Sequence, residues 1–321
     1  MKGRALQAIP ALLLAAVFAI FAVLSDRFAD PRNVANIVVQ AASLSIVATG
    51  MTFVLLTAGI DLSVGSIMFI SAAIAGKLIL AGASLWIAIP AVLIAGVACG
   101  ALNAFFVSAL RMLPFIVTLA TLYALRGLAL YITETRAMNL PGELLALGTG
   151  TFLGIPAPIW ILAVTLAIAQ FVLTHTSFGR QIYAVGDNPE AARKAGIRVA
   201  RLIAAMYVIS GFCAALGGLV SVAQLGAVSP TFGNQREFAA IAAAVLGGTS
   251  LFGGRGSVFP GTVLGALLIQ TVESGLVIVN ADPYLYPMVL AGIIFVAVLL
   301  DAIRYRQVEK QSRRKIRPLK S

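Results

Sequence analysis

Hydrophobic positions along the chain fall in long unbroken runs separated by short polar breaks. The alternation of half-buried strands and the stripes of soluble amphipathic helices are both missing. Ten runs are long and apolar enough to form helices: 5–24, 35–57, 62–81, 85–109, 114–132, 157–174, 202–224, 237–250, 258–279 and 284–302. The first follows Lys2 and Arg4. At about 20 residues it is enough to span a bilayer and longer than a signal-peptide core, so it reads as a retained helix. The eighth is short for a straight span and is expected to be partly re-entrant or packed on protein. Pro31, Pro114, Pro156, Pro158, Pro283 and Pro287 stand at or near run starts, where a missing N–H costs least.

The pattern predicts an all-α, polytopic membrane protein with about ten transmembrane helices. Small residues crowd "AGVACGALNA" (95–104), "SGFCAALGGL" (210–219) and "PGTVLGALL" (260–268). The pairs Gly96–Gly100 and Gly261–Gly265 have the spacing that lets helix backbones approach closely, so a tight bundle is expected.

Composition supports lipid as the solvent: 60% of the 321 residues are hydrophobic and 11% charged. The net charge of +11 is not interleaved with aromatics in the manner of a nucleic-acid surface, and no nucleic-acid partner is expected. It sets orientation instead. With the N-terminus inside, the cytoplasmic segments hold Lys2, Arg4, Arg111, Arg180, Arg193, Lys194, Arg198, Arg201, Arg255 and the basic residues beyond 303, which is 17 of the 23 Lys and Arg. The outer segments hold Arg27, Arg32, Arg136 and Arg236. This asymmetry places both termini in the cytoplasm and calls for an even number of spans. Residues 1–303 then form one transmembrane domain, and 304–321 a basic cytoplasmic tail drawn to lipid headgroups. Cys99 and Cys213 sit inside apolar runs as small hydrophobes, and the lone His175 has no metal-ligand companions, so no metal site is expected.

Two polar loops are long. The outer one, 133–156, reads as an irregular lid or docking surface. The inner one, 175–201, contains "GDNPEAARKAGI". There Asn188 can cap a helix, Pro189 suits its first turn, Glu190 complements the positive end of the dipole and Gly196 ends it. One helix of about two turns is expected, too short to stand alone in water, so it must pack on this protein or on a partner.

Polar groups within membrane spans are costly and are candidate path residues. Asp61, with Ser63, either caps the third helix through the Ser63 and Val64 N–H groups or marks a gate at a break between helices. Asn103, Gln224 and Gln270 either meet substrate hydroxyls or link helices. Arg126 and Lys77 either snorkel to the outer interface or serve the path. Glu273 either pairs with Arg126 or lines a cavity. No G-x-x-x-x-G-K-[ST] stretch occurs, and the Gly-rich "GGTSLFGGRGS" (247–257) lacks the lysine of a phosphate loop and reads as a tight inner turn. This chain is therefore not expected to hydrolyse ATP, and its energy must come from a partner or an ion gradient.

Glu190-Ala191-Ala192 followed by Gly196 resembles the E-A-A-x-x-x-G pattern of permease subunits of ATP-binding-cassette importers. The blocks "FGRQIYAVGDN" (178–188), "GMTFVLLTAGIDLSVGS" (50–66) and "AAAVLGGTSLFGGRGSVFPGTVLGALL" (242–268) resemble the ribose/xylose/galactose type of sugar-import permease. The resemblance implies a separate cytoplasmic ATPase that binds ATP and Mg, with no cofactor in this chain. It also implies a periplasmic sugar-binding protein, a second permease copy and a place in the bacterial inner membrane. The loop residues Arg180, Gly186, Asn188, Glu190, Ala191, Ala192 and Gly196 would then dock the ATPase. The cargo would be a monosaccharide: a ribose-like pentose, a hexose or a sugar alcohol. The alternative, an ion-coupled secondary transporter, needs titratable groups at mid-membrane, for which Asp61 and Glu273 are available.

Overall fold

The computed structural model describes residues 2–313. Every one of the ten apolar runs forms a helix. They are α1 (Lys2–Leu24), α2 (Pro31–Leu56), α3 (Val64–Leu80), α4 (Leu85–Ala104), α5 (Pro114–Thr133), α7 (Ala157–His175), α10 (Val199–Leu225), α11 (Arg236–Leu246), α12 (Val263–Ile278) and α13 (Leu285–Arg313). A π-helical turn at Phe105–Ala109 extends α4, and another at Val258–Thr262 leads into α12. Six of these segments are long and apolar enough to cross a membrane, while Ile9–Leu24, Val64–Leu80 and Leu285–Leu299 are shorter apolar stretches. α11, at 11 residues, is only roughly 16 Å long. It stops at Leu246, short of the expected boundary, because a positive-φ Gly248 turns the chain.

Three further helices lie in the polar loops: α6 (Gly142–Thr149), α8 (Ser177–Asp187) and α9 (Pro189–Lys194). The outer loop is thus ordered, not irregular. Gly148 of α6 lies directly on the Ala223 backbone of α10, and β1 (Met138–Asn139) pairs with β4 (Ala227–Val228). A second two-residue ladder joins β2 (Thr151–Phe152) to β3 (Ile155–Pro156), and Trp160 Nε1 donates to Phe152 O at 3.0 Å. The inner loop holds two helices where one was expected. At the C-terminal end α13 runs without a break through 303 to Arg313, so the expected domain–tail boundary is not a helix end. Residues 314–321 of the tail lie outside the described residues.

α2 is the axis of the bundle. Every residue from Ala41 to Leu56 is buried, as expected of a helix that is apolar all round, and α7, α10, α11 and α12 pack on it. Asp30 starts it by accepting from Arg32 N at 2.7 Å. The contact of α10 with α4 is built on glycine. A Cβ on Gly96 would strike Gly211 O and Ala215, and one on Gly100 would strike Tyr207 O and the Val208 backbone. Gly261 and Gly265 likewise let α12 and the turn before it approach Gly247 and Ala243 O. Both glycine pairs therefore do what their spacing predicts. Gly100→Val is expected to destabilise the purified protein by about 1–3 kcal/mol, because the backbone beneath cannot yield as a side chain can. An unchanged thermal unfolding midpoint would contradict the packing described.

Candidate functional site

One end of the bundle is built from α8 and α9. Thr176 caps α8, its hydroxyl accepting from Gly179 N at 3.1 Å. Gly179, Ile182, Val185 and Gly186 form the buried stripe of α8, and Arg180 and Asp187 face out. That spacing of three to four makes α8 an amphipathic helix lying on the bundle. Asn188 ends α8 and starts α9, with Asn188 Oδ1 accepting from Glu190 N at 3.1 Å and Ala191 N at 3.0 Å. Gly196 follows α9 with φ +84°, the left-handed turn its position predicts. Within α9 only Ala192 is buried, while Glu190, Ala191, Arg193 and Lys194 are exposed. α9 is thus a short capped helix held by one alanine, its charged face open.

Beneath α8 lies the Gly-rich turn 247–257. A Cβ on Gly186 would fall on Leu56 O and the Gly254 backbone, and Gly254 N donates to the same Leu56 O at 2.9 Å. Tyr183 OH donates to Gly256 O at 3.0 Å. Burial pushes the Tyr183 phenol above its usual pKa, which keeps it a neutral donor. On the far side of the turn, Asp301 of α13 accepts from Leu251 N at 2.9 Å and Ser250 Oγ at 3.2 Å. The turn therefore clamps α8, the end of α2 and α13 together.

Among the candidate path residues, the structure brings Asp61, Ser63 and Asn103 into one buried network. Asp61 Oδ1 accepts from Ser63 N at 3.0 Å and Ser63 Oγ at 2.6 Å, and Oδ2 accepts from Ser210 Oγ at 2.7 Å. Asn103 Nδ2 donates to Ser63 Oγ at 2.7 Å. The expected contact with Ser63 N is present, but no hydrogen bond joins Asp61 to Val64 N. The second oxygen of Asp61 reaches across to α10, so the residue does more than cap α3: it ties the α2–α3 connection to α4 and α10. Asn103 Oδ1 and Tyr207 OH, both buried, have no hydrogen-bond partner among the described residues.

The other candidates do not join this network. Gln224 Nε2 donates to Val39 O at 2.8 Å, and Gln270 Nε2 to Gln40 Oε1 at 3.2 Å, so both tie their helices to α2. Glu273 pairs with Arg236 at 3.6 Å, which corrects the pairing with Arg126, because α11 runs beside α12 and sets its first residue against Glu273. Lys77 reaches Glu134 at 3.5 Å in an exposed pair beyond the end of α5. Arg126 lies 5.6 Å over the Phe69 ring, its Nη1 donating to Phe232 O at 3.4 Å. Sequence reasoning missed three residues that matter: Ser210, Glu237 and Asp301. A polar or acidic residue inside a small-residue or apolar run was the available signal. Their partners lie 149, 111 and about 50 positions away, which no local pattern reveals.

Long apolar helices wrapped around an α2 that is buried from Ala41 to Leu56, with short polar helices at one end, fit a polytopic helical membrane protein of the permease class. Residues 33–299 match the family described as "Branched-chain amino acid transport system / permease component", and the chain belongs to that family. Three relatives are similar over nearly their whole length. The ribose import permease protein of Haemophilus influenzae is 39% identical over 290 residues, covering 89% of this chain and 90% of the relative. The D-allose transport system permease protein of Escherichia coli K12 is 39% identical over 295 residues, covering 91% and 90%. The autoinducer 2 import system permease protein of Photorhabdus luminescens is 35% identical over 322 residues, covering 100% and 96%. No solved structure gives a significant match. The resemblance to ribose-type import permeases therefore stands, and the family's description alone does not fix the cargo.

Proposed function

We propose that this chain is the transmembrane subunit of an ATP-driven importer that carries a monosaccharide across the bacterial inner membrane. A separate ATPase binds ATP and Mg, a periplasmic binding protein delivers the sugar, and a second copy of this chain completes the path. Both termini face the cytoplasm in this reading, as does the α8–α9 end. The observation that supports it best is the build of that end. α9 is capped, exposed on its charged face and held by Ala192 alone, whereas α8 beneath it is seated on backbone atoms of the bundle. A helix so presented is suited to enter a groove on a partner, with Glu190, Ala191 and Arg180 at the contact and Gly186, Asn188 and Gly196 fixing its position. The names of the relatives favour a sugar, and Asp61, Ser63, Asn103, Arg126, Gln224, Gln270 and Glu273 remain the candidates for lining or supporting the path.

Reconstitution in proteoliposomes with the cognate ATPase and binding protein tests this. Sugar uptake should require ATP on the α9 side and binding protein on the other. Glu190→Ala should lower sugar-stimulated ATP turnover by about tenfold, the size expected for losing one good interfacial contact, while insertion is kept. Normal turnover in that variant would remove α9 from the docking surface. A second reading, ion-coupled transport, draws on the full burial of Asp61. Uptake driven by a proton or sodium gradient without any ATPase would favour it.

A further inference from the structure

Arg126 is the one basic residue inside α5, and its placement is unusual. It stands roughly 10 Å from the outer end of that helix, too deep to be ignored by lipid and near enough to snorkel. It does neither. The guanidinium is laid inward across the Phe69 ring at 5.6 Å and against Phe232 O at 3.4 Å. Phe69 is fully buried, so the side chain is drawn into the bundle and away from the headgroups. Yet Arg126 itself is only half-buried. A guanidinium has five N–H donors, and among the described residues one hydrogen bond engages it.

Its surroundings are open. Tyr123, one turn away on the same helix, is 70% exposed, and a Cβ on Gly127 would meet nothing within 4 Å. The loop that supplies Phe232 O also exposes Thr231, Asn234 and Gln235. Lipid is a poor cover for a half-open guanidinium one helical turn from an exposed phenol. Behind Arg126 sits Glu237, in the first turn of α11 and 6% exposed. Its charge acts on Arg126 through space, without a direct ion pair. Its Oε2 has no hydrogen-bond partner among the described residues and packs on Gly65, where a Cβ would displace it. Glu237 thus places an acidic side chain behind Arg126 without consuming its donors.

We infer that Arg126, with Tyr123 beside it, is a hydroxyl-recognising station on the translocation path, and that Glu237 is its positioning residue. This rests on the proposed function and names the side chains through which the cargo passes. A planar fork of spare donors beside an open phenol matches the adjacent oxygens of a polyhydroxylated solute. With an acidic side chain behind the guanidinium, a neutral polyhydroxylated solute is the class that fits.

The test uses the reconstituted transporter with its own ATPase and binding protein. The probe is ribose or allose, whichever the wild type carries, compared with deoxy analogues that each lack one hydroxyl. The binding protein is the same in every assay, so its own discrimination cancels when variants are compared. Arg126→Gln should lower uptake of the parent sugar by about tenfold, one hydrogen bond to a charged group being lost. The analogue lacking the contacted hydroxyl should fall far less, so the parent-to-analogue ratio shifts. Arg126→Lys, which keeps the charge and loses the fork, should shift the same ratio to a smaller degree, and Glu237→Gln should move it in the same direction. Loss by one common factor for every sugar, or no change at all, overturns the station while leaving the proposed function standing. A wild type that takes up no sugar with ATP overturns both.

Discussion

Gly186→Val is expected to lower the ATP-driven uptake proposed above by more than tenfold. A side chain at this position would occupy the space of Leu56 O and the Gly254 backbone, and both are main-chain atoms that cannot rotate away. Either the Gly254 N–Leu56 O hydrogen bond breaks or α8 lifts off the bundle. The first outcome leaves buried polar groups unpaired at about 1–3 kcal/mol each, and overpacking adds a similar amount. Both outcomes shift α9, whose first residue follows α8 across Asn188 alone. Uptake should fall by more than tenfold, on the order of the 1.4 kcal/mol that a factor of ten requires. Gly292→Ala provides the control, because a Cβ there has open space on every side. Wild-type uptake by the Gly186 variant would mean that the seat of α8 plays no part in transport.

Asp61→Ala carries the second large effect. It removes the only acceptor that Ser63 N, Ser63 Oγ and Ser210 Oγ have among the described residues, all in residues with no solvent exposure. Hydroxyls can turn to find other oxygens, but the Ser63 amide cannot. At about 1–3 kcal/mol for each unpaired buried group, a loss of several kcal/mol follows. Asp61→Asn keeps one acceptor oxygen and nearly the same volume, so most of that stability should return. Thermal unfolding of the purified variants separates the cases. Equal midpoints for the alanine variant and wild type would show that the network is not holding α3 to α4 and α10. A stable asparagine variant that fails to transport would instead assign the negative charge itself to gating.

The helical scaffold was legible because apolar runs in a lipid-soluble chain have few alternatives. The run 85–109 ends at the last residue of the π-helical turn after α4, and 157–174 differs from α7 by one residue. The caps around α9 were legible too, since Asn188, Pro189 and Gly196 act over three residues or fewer. α8 was not, because its apolar stripe is only a few residues long and two of its buried positions are glycines, which carry no hydrophobic signal. Ser210, the distant partner of Asp61, and Arg236, the partner of Glu273, were beyond reach for a different reason. Side-chain pairs between distant helices depend on how each helix is rotated, and a helix that is apolar on every side leaves that rotation unmarked. α2 is the extreme case, buried on all faces from Ala41 to Leu56, and nothing in its composition says that Gln40, just before that stretch, meets Gln270.

The single residue between α8 and α9 leaves this end of the bundle without slack. Adjacent Cα atoms are about 3.8 Å apart, so a partner that drags α9 sideways by more than a few ångströms must also turn α8. α8 is pinned at Gly186 to the foot of α2 and at Tyr183 to the Gly-rich turn, so that torque reaches the central axis of the bundle directly. A longer, looser joint would dissipate the stroke. Inserting two glycines after Asn188 would turn the rigid crank into a tether.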